Sequence, residues 1–419
     1  VSERWISIDR ERSARRIERD IETLAGPDYT RSREAIRRYA YTPEYRNTLD
    51  YFIKELEAVG FRCTEDPVGN LVARNRPAGE RVFGIGSHCD SNRNGGKYDG
   101  TMGVAAAVEV CRLNEELGLN LPLQVISFLE EEGSGFGQMV LGSRIVAGRV
   151  SEEELRSFRA IDDGRTFFEH AKEAGYEPER WRECARILDD LVGWIELHIE
   201  QARVLEDTGN RLGIVDAIAG YVHADITVRG RSDHAGATPM DLRSDAGLVM
   251  AECMLELERL AREAPGDTVG TVGEVELEPN LINAVPGRAR FSLDIRGVDE
   301  EAFRGVARRL RDFAAESARR RGATSEYSER QSLSVTPLDK RVVGALEEAA
   351  RASGEPYLRM PSGAAHDTMC VADRVPSAMV FVPCEGGVSH SPEERADPAD
   401  AALGAEVMLN AIRRLVAAG

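Results

Sequence analysis

The chain has 419 residues, 42% hydrophobic and 30% charged, an ordinary globular balance in a length that exceeds one typical domain. A formal charge of −18 opposes binding to nucleic acid or anionic membrane surfaces, and no apolar run approaches the roughly 20 residues of a bilayer span. Seven dispersed cysteines and a charged N-terminal stretch point to a reducing compartment, read as the cytoplasm, rather than to a disulfide framework or a secretory leader.

In chain order, a charged helical stretch comes first. Thr42-Pro43 then opens a helix, Thr as cap and Pro in the first turn, with Tyr45, Leu49, Phe52, Leu56 and Val59 at helical spacing and Gly60 as the stop. Short strands are expected at 61–63 and 70–73. A buried strand at 81–87 runs into His88, an apolar helix spans 102–117, and a second buried strand at 123–129 runs into Glu130-Glu131-Glu132. From about 213 the pattern changes. Val222, Ala224, Ile226 and Val228 alternate with polar residues. A helix carries Ala246, Met250, Cys253, Leu257 and Leu260, and a strand covers 269–277. Another strand alternates about Phe291, Leu293 and Ile295, a helix carries Phe303, Val306, Leu310 and Phe313, and a last strand lies near 324–332. This β-α-β-β-α-β order is ferredoxin-like. A helix near 340–353, a strand at 378–381 and a long terminal helix to 417 return to α/β grammar. The expected fold is therefore α/β. A mainly parallel-sheet domain (1–212 and 331–419) is interrupted by an inserted α+β domain (213–330).

Polar clusters sit where the buried strands end, the usual place for a site in such sheets. His88 and Asp90 share a face of an extended segment, and Asp99 follows among glycines that permit tight turning. Three consecutive acids after a buried strand repel one another unless a cation joins them. His198 lies in an apolar–polar alternation and reads equally as a core histidine. His390 follows a Gly-rich loop and precedes Ser391-Pro392-Glu393-Glu394, which reads as a helix start. Together these residues suit a zinc or manganese site of mixed N and O ligands. With a bridging carboxylate they suit a two-metal hydrolytic centre. Arg296 lies on the polar face of its strand and could hold a carboxylate with its two-pronged guanidinium. A solvated sheet-face arginine is the plain alternative. Cys89 and Cys384 read as structural.

The segments GSHCDSNRNGGKYDGTMGV (86–104), EEEGSGF (130–136), ELHIEQ (196–201), HAGATPMDLRSDA (234–246), NAVPGRARFSLDIRG (283–297), SGAAHD (362–367) and SHSPEE (389–394) together resemble the hydantoinase/carbamoylase branch of the dinuclear-metal aminoacylase/carboxypeptidase superfamily. The resemblance implies that His88 and His390 are terminal ligands of one metal, Glu132 and His198 of the other, and Asp99 the bridge. Asp90 would orient His88. Glu131 would be the general base, leaving Glu130 without a role. His234 would stabilise the oxyanion, and Gln201, Asn283, Arg296 and the backbone at Gly363 would contact substrate. His366 sits in one of the motifs as a more distant site residue. Ala202-Arg203 stand where the family usually has Gly-Pro.

The activity so implied is hydrolysis of the ureido C–N bond of N-carbamoyl-L-amino acids, with two divalent ions per subunit. Zinc or manganese come first, and cobalt or nickel are further candidates. The inserted domain would act as a lid and dimerisation element in a homodimer that takes a small carboxylate substrate. Allantoate is the near alternative, a dipeptide substrate comes next, and a non-catalytic binding protein is the rival of a different class.

Overall fold

The structure, a computed structural model, describes residues 5–418 and divides into two compact units. The first runs up to Asp216 and resumes at Leu338; the second is Ala217–Pro337. The ends of the first and last sequence segments, 1–4 and 419, lie outside the described residues.

The sheet of the first unit contains β1 (Arg62–Glu65), β2 (Leu71–Arg74), β3 (Val82–His88), β4 (Leu123–Phe128), β5 (Leu191–Ile199), β6 (Leu212–Ile218), β15 (Tyr357–Ser362) and β16 (Ser377–Val382). Its order is β1-β2-β4-β3-β5-β16-β6, with β15 also on β6 and β14 (Thr336–Pro337) on the end of β6. The parallel part expected from sequence is its centre, β4-β3-β5-β16; β1, β2 and β6 run antiparallel to their neighbours. β3 is buried along its whole length, which is why its apolar run does not alternate.

Helices α1 (Arg10–Leu24), α3 (Thr101–Glu116), α10 (Lys340–Ser353) and α12 (Pro398–Ala418) pack with one another or against these strands. α2 (Pro43–Glu57) is capped as its sequence dictates, Thr42 accepting from the Tyr45 amide. Short helices α4 (Leu141–Ala147), α5 (Glu152–Ser157), α6 (Phe167–Glu173), α7 (Val204–Thr208) and α11 (Thr368–Val371) fill connections that the sequence pattern left unassigned. They run fewer than eight residues each, too short for a clear 3.6-residue periodicity.

In the second unit β7 (Gly220–Arg229), β9 (Val269–Thr271), β10 (Val275–Glu278), β12 (Arg288–Gly297) and β13 (Thr324–Leu333) form an antiparallel sheet, order β10-β12-β7-β13 with β9 also beside β12, and α8 (Ala246–Glu263) and α9 (Glu300–Arg320) pack together against it. β8 (Asp233–His234) and β11 (Ala284–Val285) make a separate short ladder. The inward residues of β7 and β12, such as Ile226 and Phe291, share one core with Leu257 of α8 and Phe303 and Leu310 of α9.

Three sequence expectations need correction. The inserted segment is 217–337 rather than 213–330, because β6 stays paired to β16 through Val215 before the chain leaves. The strand read at 269–277 is two strands: the chain departs from β12 between Thr271 and Val275, where Ser292 bonds the Glu274 backbone instead. Ser391 starts no helix; α12 begins at Pro398, with Asp397 accepting from the Ala399 amide.

Candidate metal centre

Because β4, β3, β5 and β16 are parallel, their C-terminal ends emerge at one edge of the sheet. His88 is the last residue of β3, Glu130–Glu132 follow β4, His198 is next to last in β5, and His390 lies in the loop after β16. Asp99 comes from the loop between β3 and α3. The turn after it passes so close to the His88 ring that a side chain on Gly100, at φ 60°, would collide with the imidazole.

Three carboxylates brace these loops. Asp90 accepts from the Glu131 and Glu132 amides at 3.1 Å each, and its Oδ1 lies 3.4 Å from His88 Nδ1. One side chain thus holds the acidic loop and lies beside the His88 ring, whose Nδ1 has no hydrogen-bond partner. Glu130, given no role from sequence, folds back to accept from the Gly135 and Phe136 amides at 2.6 and 2.7 Å. Glu394, read as part of a helix start, instead accepts from the Tyr98 and Asp99 amides at 2.9 and 3.0 Å. The acid triplet and the SHSPEE motif flagged the right segments, but the partners are backbone amides, and those of Asp90 and Glu394 lie too far off in sequence for any spacing rule.

The five candidate ligands meet at Asp99. Its Oδ1 lies 3.4 Å from His88 Nε2 and 3.2 Å from His198 Nε2. Its Oδ2 lies 3.5 Å from His390 Nε2, which is 3.3 Å from Glu132 Oε2. Two groups result, His88/Asp99/His198 and Asp99/Glu132/His390, each with its ligand atoms within 4.8 Å of one another. This grouping corrects the pairing implied by the resemblance. β3 and β5 are direct neighbours, so the His88 and His198 rings stack at 5.6 Å on one Asp99 oxygen, while Glu132 and His390 reach the other from loops.

The centre suits a divalent cation. Asp99 Oδ1 and Glu132 Oε1 are buried without a hydrogen-bond partner, and both groups offer the mixed N and O donors that zinc and manganese accept. The histidines are oriented for ligation. His198 Nδ1 donates to the Ile199 carbonyl at 2.9 Å, which leaves the Nε2 lone pair toward Asp99.

Charge is unbalanced here. Burial, reinforced by Asp99, pushes Glu132 up to about 7, against His390 and His88. Burial likewise raises Glu131 well above the carboxylate range; His88 opposes it, and Asp367, Glu132 and Asp90 add to it. Burial alone would raise Asp99, but His198, His390 and His88 hold it well below its ordinary value. Glu131 Oε2 stands 3.7 Å from His88 Nε2, beside the centre.

Of the other residues named from sequence, Gln201 joins this cluster, its amide nitrogen 2.7 Å from Asp99 Oδ2 and 3.3 Å from His390 Nε2. Gly363 is exposed at the bend after β15. His366 is buried with its ring 4.6 Å from that of His198, and Cys89 is buried against the Ser127 hydroxyl. His234, Asn283 and Arg296 belong to the second unit. His234 Nδ1 accepts from the Gly236 and Ala237 amides at 3.1 Å each, so in the neutral ring the proton sits on Nε2, an exposed donor. Asn283 lies beside it, its carbonyl accepting from the Ala235 amide at 2.9 Å. Arg296 is engaged with Asp294 through two bonds of 2.7 and 2.9 Å and lies over the Tyr221 ring.

A histidine/carboxylate centre at the strand ends of an α/β sheet, with one more acid beside it, suits metal-assisted hydrolysis, and the relatives named below make the class a hydrolase of C–N bonds. The chain belongs to peptidase family M20/M25/M40, whose sequence profile matches residues 85–414. It is 37% identical over 406 residues to an N-carbamoyl-L-amino-acid amidohydrolase of Paenarthrobacter aurescens, covering 96% of this chain and 98% of that protein. It is also 37% identical to a ureidoglycolate hydrolase of Oryza sativa subsp. japonica, covering 91% and 80%. A crystal structure of a hydantoinase/carbamoylase family amidase from Burkholderia multivorans superposes with TM-score 0.87 at 30% identity, covering 98% of each chain.

Proposed function

We propose that the protein hydrolyses the ureido C–N bond of N-carbamoyl-L-amino acids, releasing the amino acid and a carbamate that breaks down to ammonia and carbon dioxide. The observation that carries this is the pair of ligand groups sharing Asp99, with Glu131 alongside. His88, Asp99, His198, Glu132 and His390 would hold two divalent ions, zinc or manganese foremost. When bound, these supply Lewis acidity and lower the pKa of water. Glu131 takes a proton from the attacking water and returns it to the leaving nitrogen. The Nε2–H of His234 donates to the oxyanion of the tetrahedral intermediate. Gln201, Asn283, Arg296 and the Gly363 backbone hold the substrate, Arg296 by exchanging Asp294 for the substrate carboxylate.

Equal identity to a carbamoyl-amino-acid enzyme and a ureidoglycolate enzyme supports the shared chemistry, a ureido group near a carboxylate, more than any one substrate. The test is hydrolysis of a panel of N-carbamoyl-L-amino acids, β-ureidopropionate, allantoate, ureidoglycolate and dipeptides by chelated enzyme reloaded with Zn²⁺, Mn²⁺, Co²⁺ or Ni²⁺. Carbamoyl amino acids should give the highest kcat/KM. Preference for allantoate or ureidoglycolate would move the substrate, and preference for dipeptides would move the bond cleaved.

The second unit would serve as lid and dimerisation element in a homodimer. Exposed Leu248 and Leu255, seven apart on α8, and Val275 on edge strand β10 support pairing with a second copy. If His234 serves the partner's centre, a tagged heterodimer of His234→Ala and Glu131→Ala chains should recover about half of wild-type activity, since one of its two sites would be intact. Activity no higher than either parent, with exchange confirmed, would mean that His234 acts in its own chain or not at all.

A further inference from the structure

Arg38 is 1% exposed, in a segment to which no motif or proposed function gives a role. Its guanidinium donates to four acceptors from four places in the chain. Nε reaches the Cys89 carbonyl at 2.6 Å, and Nη2 the Thr101 hydroxyl at 2.8 Å. Nη1 reaches the Leu24 carbonyl at 3.0 Å and the Tyr29 carbonyl at 3.3 Å. None of these is a carboxylate. A buried cation is normally paired with an anion, because desolvating it is costly. Here carbonyl dipoles take that place, Leu24 among them at the C-terminus of α1, where a helix favours positive charge.

The acceptors themselves suggest the role. Cys89 lies between His88 and Asp90, and Thr101 lies two residues after Asp99. The guanidinium therefore ties the end of β3, which carries one ligand and the brace Asp90, to the turn that carries the shared Asp99. The main chain adds to the tie: the Arg38 amide donates to Ser91 Oγ at 3.0 Å, and the Ser91 amide donates to the Arg38 carbonyl at 2.9 Å. Burial lowers the pKa of Arg38, and Cys89 and Asp90 oppose that fall.

We propose that Arg38 is a positioning residue that sets the spacing between His88 and Asp99, and so the geometry and affinity of the metal centre, without touching metal or substrate. A planar fork with separated donors can span these acceptors, whereas an ammonium, with its donors on a single atom, cannot. The proposal rests on the metal-centre reading above.

The experiment compares full-length wild type with Arg38→Lys, Arg38→Met, Thr101→Val and Arg74→Met, each chelated and then titrated with Co²⁺. Stoichiometry, dissociation constant by chelator competition, visible spectrum and thermal unfolding are read for each. Arg74 is the control. It pairs with Asp190 at 2.7 Å at the end of β2 that faces the start of β4, away from the strand ends that carry the ligands. Arg38→Met should bind Co²⁺ about tenfold or more weakly, the scale on which residues behind metal ligands act, with an altered visible spectrum. Arg38→Lys should show most of that loss although it keeps the charge, and Thr101→Val a smaller change in the same direction. Arg74→Met should unfold at lower temperature with the wild-type affinity and spectrum. If Arg38→Met does not fold, Arg38→Lys and Thr101→Val read the same quantity. Wild-type affinity and spectrum in both of those would overturn the proposal even if they unfold earlier. Wild type that binds no Co²⁺ would overturn the metal-centre reading, and this one with it.

Discussion

Both units gather acids and histidines on a sheet, and they settle the charge in opposite ways. On the second unit's sheet, Asp225 is held by Arg330 through two bonds of 2.6 Å, and Glu274 by the same guanidinium at 2.7 Å. Asp225 is accordingly kept below the usual carboxylate range, chiefly by Arg330. Asp294 is pulled down to about 2 by His223 and Arg296 in spite of its burial. At the strand ends of the first unit Asp99, in spite of its burial, is likewise held low, by three histidines, but Glu130, Glu132 and Glu394 are not. Burial pushes Glu130 up to about 8, helped by Asp90, and Glu132 and Glu394 up to about 7, each helped by Asp99. Acids neutralised by arginine need no further cation. Asp99 and Glu132, with buried oxygens left unpartnered among these acids, are prepared for one.

The sharpest way to break this contrast lies within the triplet. Glu131→Gln should keep metal and lower kcat by about 10² or more, as loss of a general base does, while Glu132→Gln should lose metal. Metal analysis beside steady-state kinetics separates them, and the reverse pattern would shift the roles by one residue. Next in size is metal removal. Glu130, Glu132 and Glu394 have folded pKa values above the roughly 4.3 of an unfolded Glu, so between about pH 5 and 8 the folded chain binds more protons than the unfolded one. Chelated protein should therefore lose stability as pH rises through that window, and loaded protein should lose less, because the metal would hold Glu132 ionised while Glu130 and Glu394 keep their backbone partners. Unfolding temperatures across pH, with and without chelator, give the answer, and equal slopes would mean the acids do not await a cation.

Arg296→Lys should raise KM several-fold for carbamoyl amino acids and leave their carboxamides unchanged, because a point charge replaces a two-pronged donor. An equal rise for both would confine Arg296 to its own sheet. The smallest effect is expected for Asp225→Asn, about 1 kcal/mol of stability or less, with metal content unchanged. Loss of metal in that variant would erase the distinction between the two regions.

Much of this contrast was legible in the residues. The unbroken apolar run before His88 and the triplet after a second such run marked two parallel strands with polar ends, and Thr42-Pro43 marked its helix through capping chemistry alone. The division of candidate ligands was not legible, because it depends on β3 and β5 lying side by side across more than a hundred intervening residues. Nor were the roles of Glu130, Glu394 and Arg38. Their partners are mostly backbone atoms, which leave no residue type to read, and the Thr101 hydroxyl that Arg38 also reaches lies 63 residues away. Gly273 inside the strand read at 269–277 hinted at its break, but the Ser292 contact that replaces the ladder is a tertiary fact.

The placement of His390 also bears on how the protein is made. His88, Asp99 and His198 all leave the ribosome before any of the second unit, whereas His390 follows the whole of it. A nascent or truncated chain ending within 217–337 holds every residue of the His88/Asp99/His198 group and only two of the three in the other. Asp99 would then have one oxygen served and the other waiting. Completion of the centre is thereby tied to synthesis through β16 and the loop after it, since β16 must join β5 before His390 can close it.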